Sequence, residues 1–107
     1  MKCHHFSVEI AAQLGIHAAL LFDYVAYWVL QNEEAGRNVR NGVAWQHTTP
    51  RALTVIYPYL TEGQIKGALR KLQDADLIVN GGPVDTTKGR FNAYTLTERG
   101  AAIYYGS

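Results

Sequence analysis

The chain has 107 residues, which is enough for one domain with its own hydrophobic core and too few for a second domain. The single cysteine, Cys3, excludes an internal disulfide, and the net charge of +1 gives no overall sign of a polyanion partner. The first residues lack the apolar run and the cleavage site of a secretory signal. We therefore expect one cytoplasmic domain over residues 1–107.

Two helices are expected near the N-terminus. Ser7 is a suitable N-cap for a short first helix, which Gly15 would end. The second helix, Ile16 to Leu30, is apolar almost all the way round, so it either occupies the centre of the fold or buries a second face against another subunit. It is shorter than the roughly 20 residues that cross a bilayer and carries Asp23 at mid-span, so we expect no contact with a membrane.

The middle of the chain is predicted to contain a loop, a strand and a third helix. Residues 32 to 42 are polar and contain glycine, which is typical of a loop, and Gly42 to His47 is predicted as a short strand. Thr48 or Thr49 would cap the next helix, with Pro50 in its first turn, where its missing donor does no harm. That helix would bury Leu53, Val55 and Ile56 and end before Pro58.

The fourth predicted helix starts after Thr61. Thr61 and Gln64 have the spacing of a capping box, in which each side chain satisfies a backbone amide of the other. An apolar stripe at helical spacing would face the core and consists of Ile65, Ala68, Leu69 and Leu72. Steps of about 100° per residue put the opposite face at Gly63, Lys66, Gly67, Arg70, Lys71 and Asp74.

After Asp76 the hydrophobic period changes to that of strands. Leu77 to Val79 and Phe91 to Thr97 are predicted as the two strands of a hairpin. The polar residues between them would form a long tip that contains Lys88, Gly89 and Arg90. With a short C-terminal helix, the predicted order is α, α, β, α, α, β, β, α, which is an α+β fold.

Two segments resemble known families. Tyr94 to Gly100 has the pattern Y-x-L-T-x-x-G and resembles the end of the wing in PadR-like and MarR-like regulators. Trp45 and the run from Tyr57 to Ile65 resemble the N-terminal winged helix of phage and plasmid replisome-organiser or initiator proteins. The resemblance implies a winged helix-turn-helix, in which a helical bundle is combined with a small three-stranded antiparallel sheet and a β-hairpin wing.

Such a fold implies binding to double-stranded DNA, in phage- or mobile-element-type replication initiation or transcriptional control. Charge favours this weakly, since from Gln46 to Arg90 there are six cations against four acids. We expect the fourth helix to lie in the major groove and the hairpin tip beside the backbone or minor groove. The expected DNA-binding residues are Thr49, Arg51, Gly63, Gln64, Lys66, Gly67, Arg70, Lys71, Lys88 and Arg90.

Other interpretations remain open for the same residues. The cations are also typical of a solvated helix face or a solubilising loop tip. Gly63 and Gly67 stand where replisome-organiser-like proteins usually have long basic residues, and each costs roughly 1 kcal/mol relative to alanine in a helix interior. The main alternative is therefore a phage-type accessory or inhibitor protein that uses the winged helix to bind a protein partner, through the glycine-bearing helix or the aromatic second helix.

Further expectations concern assembly and chemistry. Winged helix regulators commonly dimerise through apolar helices, so we expect a homodimer whose interface contains Leu20, Tyr24, Tyr27 and Trp28. Cys3, His4 and His5 are too few for a structural zinc site, so we expect no metal and no other cofactor. No nucleophile, base and orienting group have a recognisable spacing, so we expect no enzymatic activity.

Overall fold

The computed structural model describes residues 5–106, which form an α+β fold with five helices and two small antiparallel sheets in this range. The order of elements agrees with the predicted one, with additional short strands before the third helix. The elements are α1 (Val8–Leu14), α2 (Ile16–Ala35), β1 (Val39–Arg40), β2 (Val43–Ala44), β3 (Gln46–Thr48), α3 (Pro50–Ile56), α4 (Glu62–Asp74), β4 (Ile78–Thr86), β5 (Gly89–Leu96) and α5 (Glu98–Gly106).

Helix α1 begins and ends as predicted, whereas α2 is longer than predicted. The Ser7 hydroxyl accepts a hydrogen bond from the Ile10 amide at 3.3 Å. Helix α2 continues past Leu30 into the first part of the segment assigned to a loop and ends at Ala35. Gly36 is its C-cap, with the left-handed φ of 67° that is typical of this position. The predicted end was wrong because Asn32, which is typical of a loop, is buried in the last turns of the helix and donates hydrogen bonds to Trp45 and to Gln46 of β3.

Helix α2 runs through the centre of the fold. It packs against α1, α4, α5 and the strands β2, β3 and β5, and residues around its whole circumference are buried. Leu20 and Tyr24, which were predicted at a dimer interface, are buried in the core of the same chain. The first of the two interpretations of an all-round apolar helix therefore accounts for these residues, and their assignment to an intersubunit surface is corrected.

Helix α3 has the predicted start but a different buried face. Thr49 is its N-cap and accepts a hydrogen bond from the Ala52 amide at 3.0 Å, with Pro50 in the first turn. Leu53 is fully buried, but Val55 and Ile56 are exposed, so their predicted burial was wrong. The helix is only two turns long, and Tyr57 and Leu60, which follow it, fill the core instead.

The larger sheet has three antiparallel strands in the order β3-β5-β4, so β3 pairs with the hairpin through β5. The predicted strand from Gly42 to His47 is interrupted at Trp45. Its first part, β2, pairs with β1 in a separate two-stranded sheet, and β1 lies within the segment that was assigned to a loop. Only the second part, β3, pairs with β5.

The β4–β5 hairpin has a short turn in place of the predicted long tip. Strand β4 continues through an irregularity between Asn80 and Pro83 and pairs with β5 as far as Thr86 and Gly89. The indole ring of Trp45 lies against the irregularity, since a Cβ at Gly81 would be 2.6 Å from the ring. A β-bulge accommodates the glycines and the proline that were predicted to form a loop, so the strand continues through them.

Candidate nucleic-acid interface

Helix α4 is built as an amphipathic surface helix. The Thr61 hydroxyl accepts from the Gln64 amide at 3.1 Å, and Gln64 Oε1 accepts from the Thr61 amide at 2.9 Å, which confirms the capping box. The apolar stripe is buried against α2 and α3 as predicted. The opposite face is exposed and consists of Gly63, Lys66, Gly67, Arg70, Lys71 and Asp74.

The three cations of this face differ in their local partners. Lys66 Nζ lies 3.6 Å from Glu62 Oε1, an exposed pair that contributes little to stability. Lys71 Nζ donates to the Leu14 carbonyl at 3.4 Å, at the C-terminal end of α1, where the helix dipole favours a cation. Arg70 is exposed and takes part in neither of the two ion pairs found within residues 5–106. Its guanidinium is therefore the cation of α4 that is readiest to bind an external acceptor.

The two glycines of this face have no packing role inside the chain. A Cβ built on Gly67 meets no atom within 4 Å, and one on Gly63 meets only the Thr61 hydroxyl at 3.9 Å. Glycine in a helix interior is unfavourable by roughly 1 kcal/mol relative to alanine. Packing within the chain therefore does not require glycine at position 67. The two glycines form a strip without side chains between the cations of α4, which we call the glycine strip.

Thr49 and Gln64, two predicted DNA-binding residues, use part of their polar groups in caps. The Thr49 oxygen accepts from the Ala52 amide, and the Gln64 carbonyl oxygen accepts from Thr61. The hydroxyl hydrogen of Thr49 and the amide hydrogens of Gln64 remain as donors. Arg51 is exposed on α3, the helix before α4.

Lys88 and Arg90 are exposed at and next to the hairpin turn. Thr86 shapes the turn, because its hydroxyl accepts from the Lys88 amide at 3.1 Å and donates to the Gly89 carbonyl at 2.9 Å. Arg90 lies opposite Asp85 in the register, and its Nε is 3.9 Å from Asp85 Oδ1. The tip therefore projects cations from a tight turn, with one carboxylate beside them.

Tyr27 and Trp28 are the predicted dimer residues that reach the surface. Their side chains are 47% and 36% exposed, and their rings meet edge to face with centroids 5.3 Å apart. Burial raises the pKa of the nearby Asp23 carboxyl, an effect that His5 opposes. This part of α2 is thus an aromatic surface with a partly desolvated acid.

A polar network between α2 and β3 was missed by sequence reasoning. Asn32 Nδ2 donates to the Trp45 carbonyl at 2.8 Å and to Gln46 Oε1 at 3.0 Å, and Gln46 Nε2 donates to the Tyr24 hydroxyl at 2.9 Å. Tyr24, Trp28 and Asn32 are spaced four apart, so they form one stripe of α2. The spacing of these residues is the sequence pattern that could have indicated the network, but the apolar composition of the helix drew attention away from it.

Cys3 and His4 lie outside the described residues, and residues 5–106 contain no group of three or more histidine, cysteine or acidic side chains that could hold a metal ion. Among the helices in that range, none combines the length and the apolar character needed to cross a bilayer. No protein-family model matches the chain, and neither a curated protein nor a solved structure matches it.

Proposed function

We propose that this chain is a winged helix-turn-helix domain that binds double-stranded DNA. In this proposal α4 enters the major groove and the β4–β5 hairpin is the wing, which contacts the adjacent backbone or minor groove. The observation that supports it most is the exposed face of α4, where cations flank a glycine strip that has no packing role in the chain. The strand order β3-β5-β4 and the adjacent helices α3 and α4 are compatible with this architecture.

Each part of the face has a role in this proposal. Arg70 is suited to a bidentate contact with guanine, whereas Lys66 and Lys71 contact phosphates and fix the register of the helix on the duplex. Gly63 and Gly67 allow the DNA backbone to approach α4 closely. Lys88 at the hairpin turn meets the neighbouring backbone, and Arg51, Thr49, Gln64 and Arg90 add further contacts.

The biological role that we propose is replication initiation or transcriptional control of the phage or mobile-element type. It rests on the resemblance of Tyr94 to Gly100 and of Tyr57 to Ile65 to the families named above. The near-neutral charge of the chain is compatible with a local rather than a global electrostatic footprint.

A charge reversal on α4 tests the assignment of the major-groove helix. Arg70→Glu is compared with Arg99→Glu, which makes the same change at another exposed arginine, on α5. Binding of a labelled duplex should be abolished in the first variant and retained in the second. Equal DNA binding by both variants and the parent would remove α4 from the interface.

The second candidate function is a protein-binding scaffold, and a specific observation favours it. Val55, Ile56 and Tyr59 are exposed apolar side chains in and after α3, and Val55 is 81% exposed. Exposed apolar surface of this kind is typical of protein interfaces. Under this candidate Arg70→Glu has no effect on function, while Val55→Glu disrupts the partner complex.

We also propose a homodimer that is formed through the exposed part of α2. The interface is limited to Tyr27 and Trp28, because Leu20 and Tyr24 are already buried in the core. Aromatic side chains of this kind are enriched at the centres of interfaces. A variant with Tyr27→Glu is expected to be monomeric at concentrations at which the parent is a dimer.

A further inference from the structure

A groove of about 440 Å³ lies between the C-terminal half of α2, β3 and the turn of the β4–β5 hairpin. Aromatic side chains from two elements line it, with Trp28 from α2 and Phe91 from β5. Arg37, which follows α2, and Lys88, at the hairpin turn, line it as well. A volume in this range, with aromatic walls and a few polar groups, is typical of sites for small molecules.

Each donor and acceptor of the hydrogen-bond network that lines the groove can be assigned. Asn32 donates to a backbone carbonyl, which can only accept, so its Nδ2 and Oδ1 atoms are assigned unambiguously. Its second hydrogen goes to Gln46 Oε1, and Gln46 Nε2 therefore donates to the Tyr24 hydroxyl. The Tyr24 oxygen accepts that bond, and its own hydrogen is left to donate. The network thus ends in an O–H donor at a residue that lines the groove.

The charges around the groove have one sign. None of the described residues that line it carries a carboxylate, whereas Arg37 and Lys88 are cations. His47 also lines the groove, but burial, with a smaller effect of Arg40, lowers its pKa, so the imidazole is neutral at about pH 7. A donor hydroxyl and two cations together favour an oxyanion, because hydrogen bonds to charged acceptors are the strong ones.

We propose that this groove binds a small organic anion that carries a carboxylate or a phosphate on a flat ring. Tyr24, Arg37 and Lys88 hold the oxyanion, and the ring lies between Trp28 and Phe91. The site is separate from the exposed face of α4, but it shares Lys88 with the proposed wing contact and Trp28 with the proposed dimer surface. Binding of the anion is therefore measured in the absence of DNA.

Calorimetric titration of the whole chain tests the proposal with two probes and their neutral counterparts. Adenosine monophosphate represents ring phosphates and benzoate represents ring carboxylates, while adenosine and benzamide lack the negative charge. Binding of either anion with clearly weaker binding of its neutral counterpart supports the site, and the anion that binds better identifies the head group. If neither anion binds at millimolar concentration, or each neutral compound binds as well as its anion, the proposal fails.

Variants then locate the binding to this groove. Tyr24→Phe removes the O–H donor and should weaken binding of the anion by about tenfold or more, as expected for a lost bond to a charged group. Tyr24 is buried, so Lys88→Gln and Arg37→Gln, at exposed residues, test the site without a risk to folding. Arg99→Gln is the matched control for Arg37→Gln and should bind as the parent does. Unchanged affinity in Arg37→Gln and Lys88→Gln would overturn the assignment.

Discussion

Gly100 lies directly against the main-chain carbonyl of Leu77, and a Cβ at this position would overlap that oxygen. The contact joins the start of α5 to the residue directly before β4 and explains a short sequence pattern. Thr97, three residues earlier, donates its hydroxyl to the Asp76 carbonyl at 2.6 Å and accepts from the Gly100 amide at 2.9 Å. The threonine and the glycine of the Y-x-L-T-x-x-G pattern therefore attach the start of α5 to the backbone of Asp76 and Leu77, which is a structural role.

Gly100→Ala should destabilise the protein. The new methyl group would meet backbone atoms of Leu77, which cannot move aside as the end of a side chain can, so the free energy of unfolding should fall by about 1–3 kcal/mol or more. Urea unfolding followed by circular dichroism measures the change. Gly106→Ala is the control, since a Cβ there meets no atom within 4 Å. Equal stability of the two variants would contradict the packing role of Gly100.

Gly67→Ala should have opposite effects on stability and on DNA binding. Alanine fits the open space at this position and favours the helix, so the free energy of unfolding should rise by up to about 1 kcal/mol. The added methyl group would keep a DNA backbone from close approach, and affinity for duplex DNA should fall. Thermal unfolding and a duplex titration measure the two effects. A variant that is more stable and binds DNA as well as the parent would show that the glycine strip is not a contact surface.

Asp23→Asn should stabilise the protein at neutral pH. The raised pKa of Asp23 means that the native state holds its proton more tightly than the unfolded state, so this carboxyl's contribution to stability is present below its unfolded pKa and is lost as the pH rises through the native pKa. Asparagine removes that loss. The melting temperature of the variant should therefore exceed that of the parent at about pH 7, and the difference should shrink towards about pH 3. A lower melting temperature at neutral pH would show that the Asp23 carboxylate stabilises the fold.

The dimer hypothesis predicts that the parent protein and the Tyr27→Glu variant differ in mass in solution. At micromolar concentration, light scattering coupled to size exclusion should give twice the mass of one chain, and Tyr27→Glu should give the mass of one chain. Trp28→Glu would also alter the groove, so Tyr27 is the cleaner position for this test. A monomeric parent protein would rule out the proposed interface on α2.

The features that could be predicted from the sequence are those that local chemistry determines. The Thr61 capping box and the apolar stripe of α4 depend on residues within one helix, and both were predicted correctly. The end of α2 was not, because the burial of Asn32 depends on acceptors at Trp45 and Gln46, which are distant in the chain. The length of the hairpin strands was underestimated because the bulge between Asn80 and Pro83 lets β4 continue through residues that usually end a strand.

The two candidate sites also differ in whether local sequence or distant contacts determine them. The exposed face of α4 could be predicted from helical spacing alone, whereas the groove could not. Its walls come from α2, β3 and the hairpin turn, and only the fold brings Trp28, Arg37 and Lys88 together. The sequence also did not show which polar atoms of Thr49 and Gln64 are occupied by cap hydrogen bonds, because this depends on the geometry of the helix ends.

Binding of the chain to double-stranded DNA is measured by fluorescence anisotropy of a labelled duplex that is titrated with the protein at rising salt concentration. Each neutralised phosphate should contribute about 0.9 to the slope of the logarithm of the binding constant against the logarithm of salt concentration. We predict binding at low salt with a slope of several units. No binding even at low salt would contradict the DNA-binding account and favour the protein-binding scaffold.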